Sequence, residues 1–431
     1  MGKTTKKDST AKGVSSLASP LSLVRPSSLG EMIHVAVREA IELAVEAELE
    51  AAVGAPRYER SEERRGYRNG TRERTFSGPT GPAELTLPRG KLFDETGGRP
   101  REWSSKLVPR YERRMPELNE AVLATYLAGG NTRQLKGALR PLLKDAPLSR
   151  SVVSRVVGSI KTDLETWRQQ SLADLNVPYL YLDAIALRVR TAGKVTSLPL
   201  LAAVGVLANG EKRLLSLEAC GSESYEAWKG FLDQMVARGL KCPLLCIVDG
   251  NAGLSKAIGV VFHEARVQRC AVHKLRNIQR KAPKHAHDEI RADFHRIVYA
   301  KSGEAARAAY RAFETKWGKR CAGAVASLRE GGEELLTFFD FPKAQWKTLR
   351  TTNVIERLNE EFRRRVKTQC SFPDEASATA LLFALVASGR IKLRKLDGWT
   401  KLADVISLSK RSARSQSALR ADKSRSDWWV G

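Results

Sequence analysis

Residues Leu244–Leu254 read LLCIVDGNAGL. Five apolar residues, Leu244, Leu245, Cys246, Ile247 and Val248, run into Asp249-Gly250-Asn251, and Leu254, Ile258, Val261 and Phe262 continue at helical spacing. A run apolar on both faces reads as a strand covered on both sides, and in such sheets chemistry gathers beyond the carboxyl ends of the strands. Asp249 stands at that edge. Taken alone, an Asp-Gly pair is more often only a turn, so its weight depends on what the rest of the chain brings to it.

Val177–Arg190, VPYLYLDAIALRVR, reads as an apolar strand interrupted by Asp183. Ser197–Ala208 is a second strand, Asn209-Gly210 supplies a two-residue hairpin turn, and Lys212–Ala219 is a third strand. Ser222 is placed to cap a helix through Gly239, with Tyr225, Trp228, Leu232, Met235 and Val236 on its buried face. After the Leu244–Val248 strand come a helix over Leu254–Phe262 and a strand over Arg266–Val272. The order β-β-β-α-β-α-β is that of a ribonuclease H-like mixed sheet, an antiparallel hairpin followed by parallel crossovers. Lys274–Leu349 is helical and basic, with Trp317 and Trp346 read as core rather than as platforms for stacked bases. Thr351–Lys367 is a further helix with Ile355, Leu358, Phe362 and Val366 as its buried stripe, and Ala376–Val386 is an apolar helix.

Ahead of the sheet, a helix is expected over Leu29–Val53, and Tyr58–Arg74 is dense in arginine around an Asn69-Gly70 turn. That segment reads as a loop, solvated or contacting phosphate, followed by short strands near Glu84–Leu87. From Leu118 to Gln170 the pattern is helical: one helix to Leu127, a second capped by Asn131 or Thr132 and running to Leu143, and a third opened by Leu148-Ser149. Such a set fits a helix-turn-helix, with Arg150 and Arg155 as candidates for groove contact, although a plain bundle has the same period. The chain carries 73 Lys and Arg against 48 Asp and Glu, a formal +25, which makes a polyanion, nucleic acid first, the partner to consider. No apolar run reaches the roughly 18 residues of a membrane span, and the six cysteines sit in apolar contexts that suit reduced thiols in the cytoplasm. The fold class is α/β: a ribonuclease H-like mixed sheet interrupted by an all-α insertion and preceded by helical DNA-binding regions. The expected division is a basic tail at 1–28, a helix with a basic strand segment at 29–110, the helix-turn-helix region at 111–175, a first core part at 176–273, the insertion at 274–350, a second core part at 351–406 and a basic tail at 407–431.

Asp183, Asp249 and Glu356 fall at recurrent places in such a sheet. Converging carboxylates can hold two divalent ions roughly 4 Å apart, and hard oxygen donors suit Mg²⁺, with Mn²⁺ able to substitute. Asp183 interrupts an apolar strand, where a carboxylate without partners is costly. Glu356 lies three residues after Asn353, so a helix-start capping box is its plainer reading, and Glu360, one turn on, is the alternative ligand. Cys270 and His273 are one close pair; His285, His287, His295 and Cys321 downstream offer no second pair at zinc-finger spacing. His273 is read instead as contacting substrate or bracing the sheet near the acids. Arg357, Arg363, Arg364 and Arg365 share the helix of Glu356 and are placed for phosphate contact.

The strings YLDAIALRVR, IVDGNAGLSKAI, QRCAVHKLRNI and TTNVIERLNEEFRRR, with RRGYRNG and LTLPRG upstream, resemble the Mutator-type transposases of bacterial insertion sequences over about Leu29–Lys395. The resemblance implies a DDE recombinase with a ribonuclease H-like core interrupted by helices, recognising terminal inverted repeats in double-stranded DNA and joining the freed end to target DNA. It implies that Asp183, Asp249 and Glu356 form the triad, that Cys270 and His273 are the family's Cys-x-x-His motif, and that a homodimer assembles in the synaptic complex. A catalytically inactive DNA-binding regulator, or a nuclease without strand transfer, would share every basic feature.

Overall fold

The computed structural model describes residues 28–59, 61–94, 98–128, 135, 137–140, 150–191, 194–366 and 374–409. Both expected tails, up to residue 27 and from 410 on, and most of the middle helix expected up to Leu143, lie outside the described residues. No described helix is long and apolar enough to cross a membrane. The chain divides into two compact units, residues 1–121 with 137–148, and residues 122–136 with 149–431.

In the first unit, α1 (Leu29–Val53) begins at Ser28, whose hydroxyl accepts the Glu31 N–H, and packs along a hairpin of β1 (Gly66–Gly78) and β2 (Gly81–Leu92). A two-residue strand β3 (Arg101–Glu102) pairs antiparallel with the far end of β2. Val45, Phe76, Leu85, Leu87 and Val108 fill the space between helix and hairpin. From Gly66 on, the arginine-rich segment is thus a strand; its described residues before that, 58–59 and 61–65, lie in no helix or strand, as a loop would. Its pattern misleads because the sheet is half exposed and acids on α1 supply the partners: Arg68 pairs with Glu46 and reaches Glu50. Asn69-Gly70 is not a hairpin turn either. The register jumps from Arg68↔Gly90 to Thr71↔Pro88, so two residues oppose one in a bulge, and Gly70 adopts the positive φ of 72° that glycine tolerates.

The second unit is built on a five-stranded mixed sheet. Its strands are β4 (Tyr179–Thr191), β5 (Lys194–Val206), β6 (Lys212–Ala219), β7 (Leu245–Val248) and β8 (Arg266–Arg269), in the order β6-β5-β4-β7-β8. The first three pair antiparallel and the last three parallel. All four residues of β7 are fully buried, which explains its unbroken apolar run: it is central, and both faces are covered. Leu180, Leu182, Cys246 and Val248 point to one face, packed with α4 (Tyr225–Ala237) and α5 (Ala252–Val261). Tyr179, Tyr181, Ile185, Leu245 and Ile247 point to the other, packed with α11 (Asn353–Val366) and α12 (Glu375–Ala387). On α12, every residue from Ser377 to Leu385 is buried, as expected of a helix apolar all round.

Helices α2 (Pro116–Leu127) and α3 (Arg150–Arg168) match two of the three helices read over this region. The C-terminal half of α3 is a core element: Ile160 and Leu164 are buried and Trp167 stacks 5.1 Å from Phe383. The helix read as opened by Ser222 is capped by Ser224, whose hydroxyl accepts the Ala227 N–H. β8 ends at Arg269 rather than Val272, because Ala271 starts a helix. Residues 271–349 hold α6 (Ala271–Arg280), α7 (His287–Val298), α8 (Gly303–Gly318), α9 (Ala322–Gly331), several 3₁₀ turns and α10 (Trp346–Leu349), with no strand among the described residues. Trp317 is core, its indole N–H donating to Asp293, and Trp346 packs on Phe338 and Phe339.

Candidate active site

The parallel register of β4 and β7 ends at Leu182↔Val248, so the next residues are Asp183, still on β4, and Asp249, just past the end of β7. Asp183 lies on the face that carries Tyr179 and Tyr181, and those two phenols fasten the segment leading into α11. Tyr179 donates to Gln345 Oε1 at 2.7 Å and Tyr181 to the Thr348 carbonyl at 3.1 Å. Beyond that segment, Ile355, Leu358 and Phe362 bury α11 against the same face, and Glu356 follows from Ile355. Burial, and then the charge of Asp249, push the Asp183 carboxyl up to about 7; Glu356 adds to the rise, while the Ala184 N–H and His273 oppose it. Asp249 accepts the Asn251 N–H at 2.9 Å, and the Asn251 side chain caps α5 through the Leu254 N–H. The Asp-Gly-Asn turn is therefore both a helix start and a carboxylate mount.

Glu356 is not a capping-box residue. The Ile355 and Glu356 N–H groups donate to the Thr352 carbonyl, which makes Thr352 the residue before the helix, and the Glu356 side chain turns to His273 Nε2 at 3.2 Å and Arg276 at 3.7 Å. Its Oε1 is shielded from water and has no partner in hydrogen-bond alignment, only these charges. Cys270 continues from β8, its N–H donating to the Val248 carbonyl, and it precedes α6, which carries His273 in its first turn. Thr352 donates to Cys270 Sγ from its N–H at 3.4 Å and from its hydroxyl at 3.3 Å, and the hydroxyl lies 3.5 Å from His273 Nδ1. Burial alone would raise the Cys270 thiol, but hydrogen bonds from His273 and Thr352 hold it below its usual value. The bond to Cys270 outweighs burial and lifts His273 to about 9, with the charges of Cys270, Asp183 and Glu356 adding to it.

One donor atom each of Cys270, His273 and Glu356 lies within 4.8 Å of the others, and no other trio of His, Cys, Asp or Glu among the described residues comes as close. Asp183 feels the charges of both Asp249 and Glu356, but the three acids do not meet at one point. His287, His295 and Cys321 have other contacts: the Ala282 carbonyl, the Tyr299 ring and the Lys281 carbonyl. Thr352 was not legible as a site residue, nor was Glu223. That carboxyl accepts from Asn251 Nδ2 at 3.3 Å and is raised by burial and by Asp249.

A family model described as "Transposase, Mutator family" matches residues 14–392. The chain belongs to the Mutator family of transposases. It is 36% identical over 374 residues to the transposase for insertion sequence element ISRM5 of Rhizobium meliloti, spanning 87% of this chain and 90% of that one. It is 33% identical to the transposase for IS406 of Burkholderia multivorans, over 83% and 89% of the two chains. To the transposase for IS256 in transposon Tn4001 of Staphylococcus aureus it is 31% identical, over 78% and 84%.

The part of this Mutator-family chain that the family model matches contains all three acids, Cys270 and His273. It also contains most of an open cleft of about 930 Å³ on the outer side of α11. Lys212, Lys347, Arg357, Arg364, Arg390, Lys392, Arg394 and Lys395 line it, against Glu356, Glu360, Glu361 and Asp397. The helix pattern pointed to Arg357 and Arg364; the contributions of β6 and of residues 390–395 had no signal, since only the fold brings them beside α11. Glu360 is exposed in this cleft, and Arg363 is exposed on the same helix. Arg155 is exposed on α3, while the side chains of Arg150 and Arg365 lie outside the described residues.

Proposed function

We propose that the chain is a DDE-type DNA transposase that hydrolyses the phosphodiester at each terminal inverted repeat and drives the freed 3′-hydroxyl into target DNA. On this reading the mixed sheet is a ribonuclease H-like core formed by residues 176–273 and 351–406, residues 274–350 are an insertion, and residues 111–175, with Arg150 and Arg155, engage the repeats. The carrying observation is the β4/β7 register, which sets Asp183 and Asp249 side by side while Glu356 presses its charge on Asp183.

Asp183, Asp249 and Glu356 would hold a pair of Mg²⁺ ions. The residues fit such hard cations: they are oxygen donors, the charges of Asp249 and Glu356 still raise the Asp183 carboxyl although His273 and the Ala184 N–H oppose this, and Glu356 Oε1 is shielded with only the charges of His273 and Arg276 beside it. Ions held by these residues would supply activation of the attacking oxygen and stabilisation of the leaving one. The protein's own task is positioning and neutralisation, which dominate phosphoryl transfer. Tyr179 and Tyr181 fix the approach to α11, Asn251 fixes the Asp249 turn, and the Cys270, Thr352 and His273 contacts aim Glu356. Arg357, Arg363, Arg364, Arg365 and the rest of the basic cleft would track DNA phosphates, and two ends held together imply a homodimer.

Incubation with labelled terminal-repeat DNA separates this reading from a DNA-binding regulator. Cleaved and joined products that require Mg²⁺ and disappear with chelator are expected; binding without any cleavage would favour the regulator, and cleavage without joining a nuclease.

A further inference from the structure

Cys270, His273 and Glu356 offer one sulfur, one imidazole nitrogen and one carboxylate oxygen that lie within 4.8 Å of one another. Carboxylate chemistry with Mg²⁺ gives the sulfur no ligand role, because hard cations take oxygen donors. Zn²⁺ accepts Cys, His and Glu together, and three protein ligands with a fourth position open is a common arrangement. The surroundings also favour ligand roles over packing. Cys246, on the neighbouring strand, is enclosed in apolar core, whereas the Cys270 sulfur faces two Thr352 donors and an imidazole. Glu356 Oε1 is withdrawn from water without a hydrogen bond, and its neighbours include the imidazole of this set. Ordinary zinc bond lengths place donors about 3.5 Å apart, so the set closes with shifts on the order of 1 Å.

The geometry points to a site for a thiophilic divalent cation of the Zn²⁺ class at Cys270, His273 and Glu356, separate in chemistry from the carboxylate site but sharing one ligand with it. Glu356 cannot serve both fully, so Zn²⁺ held here withdraws the third acid and opposes Mg²⁺-dependent cleavage. That consequence rests on the proposed role of Glu356; the site itself does not.

Titration of the full chain with Co²⁺, a spectroscopic stand-in for Zn²⁺, tests the site directly. One equivalent is expected to produce the near-ultraviolet charge-transfer band of a thiolate bound to Co²⁺, reversed by Zn²⁺. Cys270→Ser should remove the band, and His273→Asn and Glu356→Gln should each weaken Co²⁺ binding by about tenfold or more. Asp183→Asn should keep the band. Circular dichroism checks that each variant is folded; if Cys270→Ser is not, the His273→Asn titration decides. No band in the unaltered protein, a band that survives Cys270→Ser, or undiminished affinity in His273→Asn overturns the site. Normal cleavage with Mg²⁺ and no band contradicts this site alone, whereas a Cys270-dependent band without any cleavage contradicts the transposase mechanism alone.

Discussion

Replacing Asp249 by asparagine is expected to reduce strand cleavage by about 10³-fold or more while leaving affinity for terminal-repeat DNA within about twofold. Asp249 is only partly buried, and its hydrogen bond from the Asn251 N–H can be accepted equally by an amide oxygen, so the turn and the start of α5 should survive. What asparagine lacks is the charge that, on the proposed mechanism, would join Asp183 and Glu356 in seating divalent cations. Gel-shift and cleavage assays on one preparation separate the two effects. Parallel loss of binding and cleavage in a folded variant would mean that Asp249 acts on DNA affinity or structure, not on chemistry.

The neighbouring glycine should matter nearly as much, for a different reason. Gly250 has φ of 103°, where L side chains are strained, and a Cβ there would lie 2.0 Å from Arg269 Nη2. Arg269 has nowhere easy to go: its side chain is 6% exposed and holds Glu330 at 2.8 Å. Gly250→Ala is therefore expected to destabilise the fold by about 1–3 kcal/mol from the backbone alone. Because the strain sits beside Asp249, cleavage should fall by about 10²-fold, as misplacement by about an ångström does. Gly259, inside α5 with open space at its Cβ, is the control: alanine there should stabilise by about 0.5–1 kcal/mol. Chemical denaturation of both variants checks the contrast, and a Gly250→Ala protein as stable and active as its parent would contradict it.

The parts of the site that depend on local pattern could be read from the chain. An acid interrupting the apolar run of β4, an acid ending the apolar run of β7 and the buried stripe of α11 each carry their own signal, and each stands within a residue or two of where the pattern put it. Glycine-containing dipeptides were less informative: Asn209-Gly210 lies in the tight connection between β5 and β6, yet Asn69-Gly70 is a bulge inside a strand. The difference is tertiary, since α1 covers β2 and lends Glu46 and Glu50 to Arg68 of β1. Where β8 stops was also hidden. Val272 continues the apolar pattern, but the Ala271 N–H is taken by the Arg350 carbonyl, and the chain turns into α6. The close Cys270 and His273 pair could be read as lying near the acids, but its contact with Glu356 in particular had no local pattern, because Glu356 arrives from α11, a long way down the chain.

Anomalous diffraction from crystals of the protein bound to terminal-repeat DNA with Mn²⁺ in place of Mg²⁺ would examine the meeting of the acids most directly. The expected result is two manganese peaks about 4 Å apart, contacted between them by carboxylate oxygens of Asp183, Asp249 and Glu356. Manganese bound elsewhere, or any of these three side chains turned away from both peaks in the DNA complex, would contradict it.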